Sequence, residues 1–270
     1  MNQNSSSHEN FIDLKITENR AIDFLLHAFE GHAGKRSDLN IFGNLLYGES
    51  YLMNWKNYTG CYCIRNFLPK DIGLEIIGKP GEIDILLIPF DNKEVFYDKA
   101  SAFEVKIAKP DIDRMYKGAN SDGYTQTMGL VKAGFPYVGL VHVVCSKPIP
   151  DEVKQEIPFY KPAKGEVVSK DGSYKKGEPE MIKWDWLPTH SESVQMKRLL
   201  TYDFPKYVGL KVLSINFLAN GGYVMGQSFD WKDFEVGYLN PHHKKETIQL
   251  IKQHHLESES AFRKILFNFP

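Results

Sequence analysis

Two neighbouring segments constrain the fold of this 270-residue chain more than any others. Residues 82–90 (EIDILLIPF) and 100–107 (ASAFEVKI) are almost continuous apolar runs rich in strand-forming residues, the pattern of strands buried on both faces. Each run nevertheless carries charge in its interior: Asp84 in the first, Glu104 and Lys106 in the second. Side chains alternate along a strand, so Glu82, Asp84 and Leu86 share one face, Glu104 and Lys106 share another, and Val105 points the opposite way. Asp91-Asn92-Lys93 is turn chemistry and predicts a hairpin between the runs. In that hairpin Asp84 falls opposite Glu104 or Val105, and directly opposed Cβ atoms are about 5 Å apart.

Two carboxylates and an ammonium then meet at one place in a buried sheet. Burying each charge costs several kcal/mol unless something compensates. A divalent cation held by the carboxylates is one compensation, and hard oxygen ligands select Mg2+, with Mn2+ as a substitute, over softer metals. Such an ion activates water and neutralises charge on a phosphoryl oxygen, and a lysine beside it stabilises transition-state charge. A simple Asp84–Lys106 salt bridge at a sheet rim is the structural alternative. An acid, any residue and then Lys occurs at five places in the chain, so the tripeptide alone decides nothing. The apolar strand around Glu104-Val105-Lys106 sets this copy apart.

The flanking segments supply the rest of an α/β domain. Thr17 caps a predicted helix to Glu30 with Ile22, Leu25, Leu26 and Phe29 on one stripe. A second helix is predicted over residues 39–56, followed by strands over 61–67 and 74–77. After the charged strands, Ser121 or Asp122 opens a helix that Gly134 stops, and 137–145 (YVGLVHVVC) is a buried-type strand parallel to the sheet centre. Residues 147–190 hold many prolines and a Lys/Gly-rich piece, and read as an exposed insertion with one hairpin. Thr189 and Glu192 have capping-box spacing, 210–219 and 223–229 form a hairpin, and Asn240-Pro241 starts the last helix. The expected organisation is a disordered tail (1–15), a core (16–146), the insertion (147–190) and a C-terminal α+β extension (191–270).

Pro80-Gly81-Glu82-Ile83-Asp84, a hairpin, Glu104-Val105-Lys106, a helix and an apolar strand resemble the PD-(D/E)XK nuclease superfamily over about residues 39–145. The resemblance implies a restriction-endonuclease-like core, a central mixed sheet flanked by helices, and metal-dependent cleavage of phosphodiester bonds in DNA. It matches Asp84 and Glu104 to the metal-binding acids and Lys106 to the catalytic lysine. Val105, next to Glu104, completes the expected ligand set. Members often add a glutamate from the helix before the first core strand. Glu49 fits because it stands on the apolar stripe of Phe42, Leu45, Leu46, Leu52 and Met53; Glu30 is its rival. Gln126 matches a glutamine that some relatives use to contact substrate, although Leu130 stands where they have tyrosine.

Other features narrow the class. Lys and Arg total 33 against 34 Asp and Glu, so bulk charge does not hold this chain to nucleic acid. Three cysteines suit a reducing cytoplasm and buried free thiols better than a disulfide scaffold. His142, on an apolar strand, reads as a satisfied core histidine, and a basic stretch around Lys161, Lys164, Lys170, Tyr174, Lys175 and Lys176 as a solvated loop. No apolar run approaches the ~20 residues of a membrane span. The expected partner is DNA, with RNA left open and a homodimer allowed. A non-cleaving nucleic-acid- or protein-binding module on the same fold is the alternative function.

Overall fold

The computed structural model describes residues 16–32, 58–74, 81–119, 122–162, 176–217, 223–226, 234–235 and 237–266. The predicted helix over 39–56 with Glu49, the predicted strand beyond Leu74, the tail, and Lys164, Lys170, Tyr174 and Lys175 lie outside them.

The described chain is α/β, with one mixed sheet between helices. Helix α1 (Glu18–His32) precedes strands β1 (Gly60–Phe67), β2 (Ile83–Phe90) and β3 (Ser101–Ala108). Helix α2 (Tyr124–Ala133) leads to β4 (Tyr137–Val144). A two-stranded ribbon of β5 (Gln155–Pro162) and β6 (Lys176–Trp184) stands apart from the main sheet. Helix α3 (Leu187–Leu199), β7 (Gly209–Phe217), β8 (Tyr223–Gly226), β9 (Phe234–Glu235), α4 (Lys245–Glu257) and β10 (Arg263–Leu266) complete the order.

The sheet runs β10-β1-β2-β3-β4-β7-β8, with β9 also on β7. β1, β2 and β3 form an antiparallel meander, in which β2 and β3 are the predicted hairpin. β4 lies parallel to β3 and β7 parallel to β4, so the centre is parallel and both sides are antiparallel. The C-terminal residues therefore build both flanks of the sheet, with β7 beside β4 and β10 on β1.

Helices cover both faces, which explains why the central strands are apolar throughout. One layer joins α1, through Ile22 and Leu25, to Ile85, Leu87, Phe103, Val105 and Val141. The other joins α2, α3 and α4, through Leu130, Leu199 and Ile251, to Leu86, Ile88, Leu140 and Val212. Cys61, Cys63 and Cys145 are buried free thiols in the first layer, and burial pushes Cys63 and Cys145 up to about 12. No helix among the described residues is long and apolar enough to cross a membrane.

Three helix starts differ from the expectation. Gly123, not Ser121 or Asp122, is the N-cap of α2, and α3 begins at Leu187 with Pro188 in its first turn rather than behind Thr189. Helix α4 begins at Lys245, because Asn240 is engaged elsewhere. Its buried amide donates to the carbonyls of Val131 (3.2 Å) and Phe135 (3.0 Å), and its Oδ1 accepts from the His242 amide (2.9 Å). Thr247 donates to the Ala133 carbonyl at 2.6 Å, strapping α4 to the end of α2. Asn240→Ala strips donors from buried carbonyls, a loss of about 1–3 kcal/mol. Urea unfolding is expected to show stability lower by about 2 kcal/mol with an unchanged circular dichroism spectrum.

Candidate active site

β2 and β3 pair only near their turn, at Leu87–Ser101, Leu86–Ala102 and Ile85–Phe103. Extended one step, that register sets Asp84 opposite Glu104 and so selects between the two positions that turn length had left open. The ladder does not take that step. The Val105 amide donates instead to Asp84 Oδ2 at 2.6 Å. Past Ile85 and Phe103 a carboxylate therefore does the work of a strand carbonyl, and the two strands part. The amide and carbonyl of an extended residue face the same strand edge, so the Val105 carbonyl faces this opening too.

The opening gathers charge where solvent is scarce. Asp84 is 7% exposed, Glu104 2% and Lys106 8%. Lys106 Nζ lies 2.5 Å from Glu104 Oε1 and 2.8 Å from Glu18 Oε1. Glu18 stands in the first turn of α1, just after Thr17, whose Oγ1 accepts the Arg20 amide at 3.3 Å as a cap should. Burial raises the Asp84 carboxyl to about 6, against the lowering pull of the Val105 amide and of Lys106. Burial, then repulsion from Asp84, raises Glu104 to about 7 although Lys106 is bonded to it. Desolvation opposes the Lys106 ammonium as well, but Glu104 and Glu18 outweigh it and raise its pKa.

Three carboxylates and one ammonium leave the ionised cluster with two net negative charges. Glu104 Oε2 is buried with no hydrogen-bond partner. A buried acceptor without a donor costs about 1–3 kcal/mol, more when charged. Both features fit a hard divalent cation. Among the described residues no group of three or more His, Cys, Asp or Glu side chains forms a metal cage. The residues that could hold an ion are Asp84, Glu104 and the Val105 carbonyl. That is a Mg2+-type set, because Mg2+ keeps several waters and takes one or two carboxylates plus phosphate oxygens.

The start of α2 roofs the cluster. Gly123 has φ +72, and a methyl group there would stand 2.7 Å from Leu140 Cδ1, 3.3 Å from Lys106 Cγ and 3.5 Å from Glu104 Cγ. Glycine is required for both the left-handed backbone and the close approach. His142, paired in register with Lys106, is buried, and its Nε2 donates to the Asp122 carbonyl at 3.2 Å. Burial lowers its pKa to about 4, so the ring is neutral and works as a fixed donor to the turn before α2.

Asp84, Glu104, Val105 and Lys106 thus converge as the sequence predicts. Gln126 stands half-buried in the first turn of α2, three residues after Gly123. Glu49 lies outside the described residues. Glu30, its rival, is twelve residues beyond Glu18 on α1, about 18 Å along the helix axis. Glu18 was missed by sequence reasoning. The available signal was an acid directly after the Thr17 cap at the start of an amphipathic helix.

Comparison with known proteins finds no matching family model, no matching curated protein and no matching solved structure.

The raised carboxyl pKa values have a definite sign. A carboxyl group held above its unfolded value contributes stability below the unfolded pKa, near 4, and that stability is lost as pH rises through the folded values near 6 and 7. Asp84→Asn removes one of these charges and keeps an oxygen for the Val105 amide. In EDTA, urea unfolding is expected to show the variant gaining on wild type by on the order of 1 kcal/mol between pH 5 and pH 8. Equal differences at both pH values would mean that the site carries no strain from buried negative charge.

Proposed function

We propose that the chain is a Mg2+-dependent nuclease that hydrolyses phosphodiester bonds in DNA on a restriction-endonuclease-like core. One observation carries this reading. Two buried carboxylates and a lysine, borne on adjacent central strands, meet where those strands part; when ionised, and with Glu18 of α1 on the same lysine, they carry a surplus of two negative charges, and one Glu104 oxygen has no partner. A purely structural ion pair needs neither the surplus nor the gap in the ladder.

In this reading Asp84, Glu104 and the Val105 carbonyl hold the ion. When bound, Mg2+ supplies a water of lowered pKa and neutralises charge on the phosphoryl oxygens. Lys106 presents an ammonium to the scissile phosphate. Its charge is held in place by Glu18 and Glu104, so it needs little reorganisation as negative charge builds up. The first turn of α2, seated over Lys106 and Glu104, adds the positive end of a helix dipole on the same side. Gln126, in that turn, is placed to contact substrate.

The second reading, a non-cleaving nucleic-acid- or protein-binding module, draws on one fact: the Lys106 ammonium is bridged on both sides by carboxylates, which also describes a structural lysine.

Incubation of pure protein with supercoiled, linear and single-stranded DNA, and with RNA, separates the two. Cleavage is expected with Mg2+ or Mn2+ and none with EDTA. Lys106→Gln, which keeps a donor for Glu104 but loses the charge, is expected to retain the fold and cut about a hundredfold more slowly. That matches the ~2.7–4 kcal/mol associated with one preorganised donor. Wild-type cleavage by Lys106→Gln would make the lysine structural. No cleavage under any metal would leave the binding module as the function.

A further inference from the structure

We propose that the rim of this cleft is a stacking platform for unpaired bases, so that the substrate is a single-stranded nucleic acid or a single-stranded segment within one. This rests on the nuclease reading of the Asp84–Glu104–Lys106 cluster and adds the substrate class.

The rim is aromatic where it meets the roof of the site. Tyr124 directly follows Gly123, the residue seated against Lys106 and Glu104. Its ring stacks on Tyr202 with centroids 5.3 Å apart and planes at 21°, and Phe204 closes the group edge-on at 4.9 Å from Tyr124. The Tyr202 hydroxyl donates to the Asp122 carboxylate, so the same turn that His142 fixes also carries the aromatic group. The three rings are half-buried.

A fourth ring extends the rim. Tyr116 is 63% exposed. Its carbonyl accepts from Arg198 Nη2 at 3.0 Å, and the neighbouring Lys117 carbonyl accepts from Gln195 Nε2 at 3.1 Å. Helix α3 thus holds this loop by its main chain, and its His190 meets the Tyr116 ring edge-on at 5.6 Å, leaving most of the ring exposed. Tyr202 stands three residues beyond the end of α3, so the helix that holds the Tyr116 loop also leads into the first aromatic group.

This chemistry suits unpaired bases. Every base has a π-face, and stacking on tyrosine is worth a similar amount whatever the sequence. In a duplex those faces are covered by neighbouring bases and are reached only by unstacking. Arg198 adds a planar cation that pairs with phosphate or lies against a base.

The test uses the full chain in EDTA, so that binding is read without cleavage. The probes are fluorescein-labelled dT12, rU12 and a 12-base-pair DNA duplex, followed by anisotropy. Single strands are expected to bind at least about tenfold tighter than the duplex, and the dT12 and rU12 arms show which sugar is preferred. Tyr124→Ala and Tyr116→Ala are each expected to weaken single-strand binding by about 5- to 100-fold. Tyr124→Phe and Tyr116→Phe, which keep the rings, should bind like wild type. Tyr116 is exposed, so its variant keeps the test available even if Tyr124→Ala fails to fold. Duplex binding as tight as single-strand binding, or wild-type binding by folded alanine variants, overturns the platform. Its failure is separable from that of the nuclease reading. Mg2+-dependent cutting of duplex without tyrosine dependence removes the platform and leaves the nuclease; tyrosine-dependent strand binding with no cutting in Mg2+ does the reverse.

Discussion

Everything around the site follows from one electrostatic problem: three carboxylates and a single ammonium packed where β2 and β3 separate. Asp84, Glu104 and Lys106 are buried, so water screens them little, and only Glu18 is substantially exposed. The chain meets part of the cost with its own groups. The Val105 amide leaves the ladder for Asp84, and Lys106 is shared between Glu104 and Glu18. The remainder shows in the raised carboxyl pKa values and in a Glu104 oxygen with no donor. A fold selected for stability alone would replace such a cluster with apolar side chains at little cost or at a gain.

Polar groups also tie together the elements around the sheet. Helix α3 buries Ser191, Glu192 and Gln195 where a packing helix ordinarily buries apolar residues, and Gln195 spends its amide on the loop that carries Tyr116 and Lys117. His142 reaches from the sheet to the turn ahead of α2. The turn ahead of α2, which stands against the cluster, is therefore tied to the sheet, and the Tyr116–Lys117 loop to α3, by hydrogen bonds, a more directional link than apolar contact. That is the kind of support a site needs when its groups must stay in place.

The charged strands were legible because a two-residue period in an apolar run leaves no doubt about which side chains share a face. Asp84, Glu104 and Lys106 could be placed together from that pattern alone, and the parallel β4 followed from the intervening helix. The register was legible only to within one residue, and the pairing at Ile85–Phe103 settled it. What escaped was decided by contacts distant in sequence. Asp122 offers its carboxylate to Tyr202, 80 residues away, so Gly123 caps α2. Asn240-Pro241 has the local signature of a helix start, but Asn240 is committed to carbonyls 105 and 109 residues back. Glu18 joins the site through an ion pair with a lysine 88 residues further on. Propensity and spacing carry no information about such partners.

Asp84 and Glu104 are proposed to hold a divalent cation. Electron paramagnetic resonance of Mn2+ titrated into the metal-free protein tests this directly, because the free ion's signal is lost on binding. Wild type is expected to remove Mn2+ from solution, excess Mg2+ to release it, and Asp84→Asn and Glu104→Gln each to remain folded and lose the binding. A free-ion signal undiminished by wild type, or equal binding by both variants, would contradict that proposal.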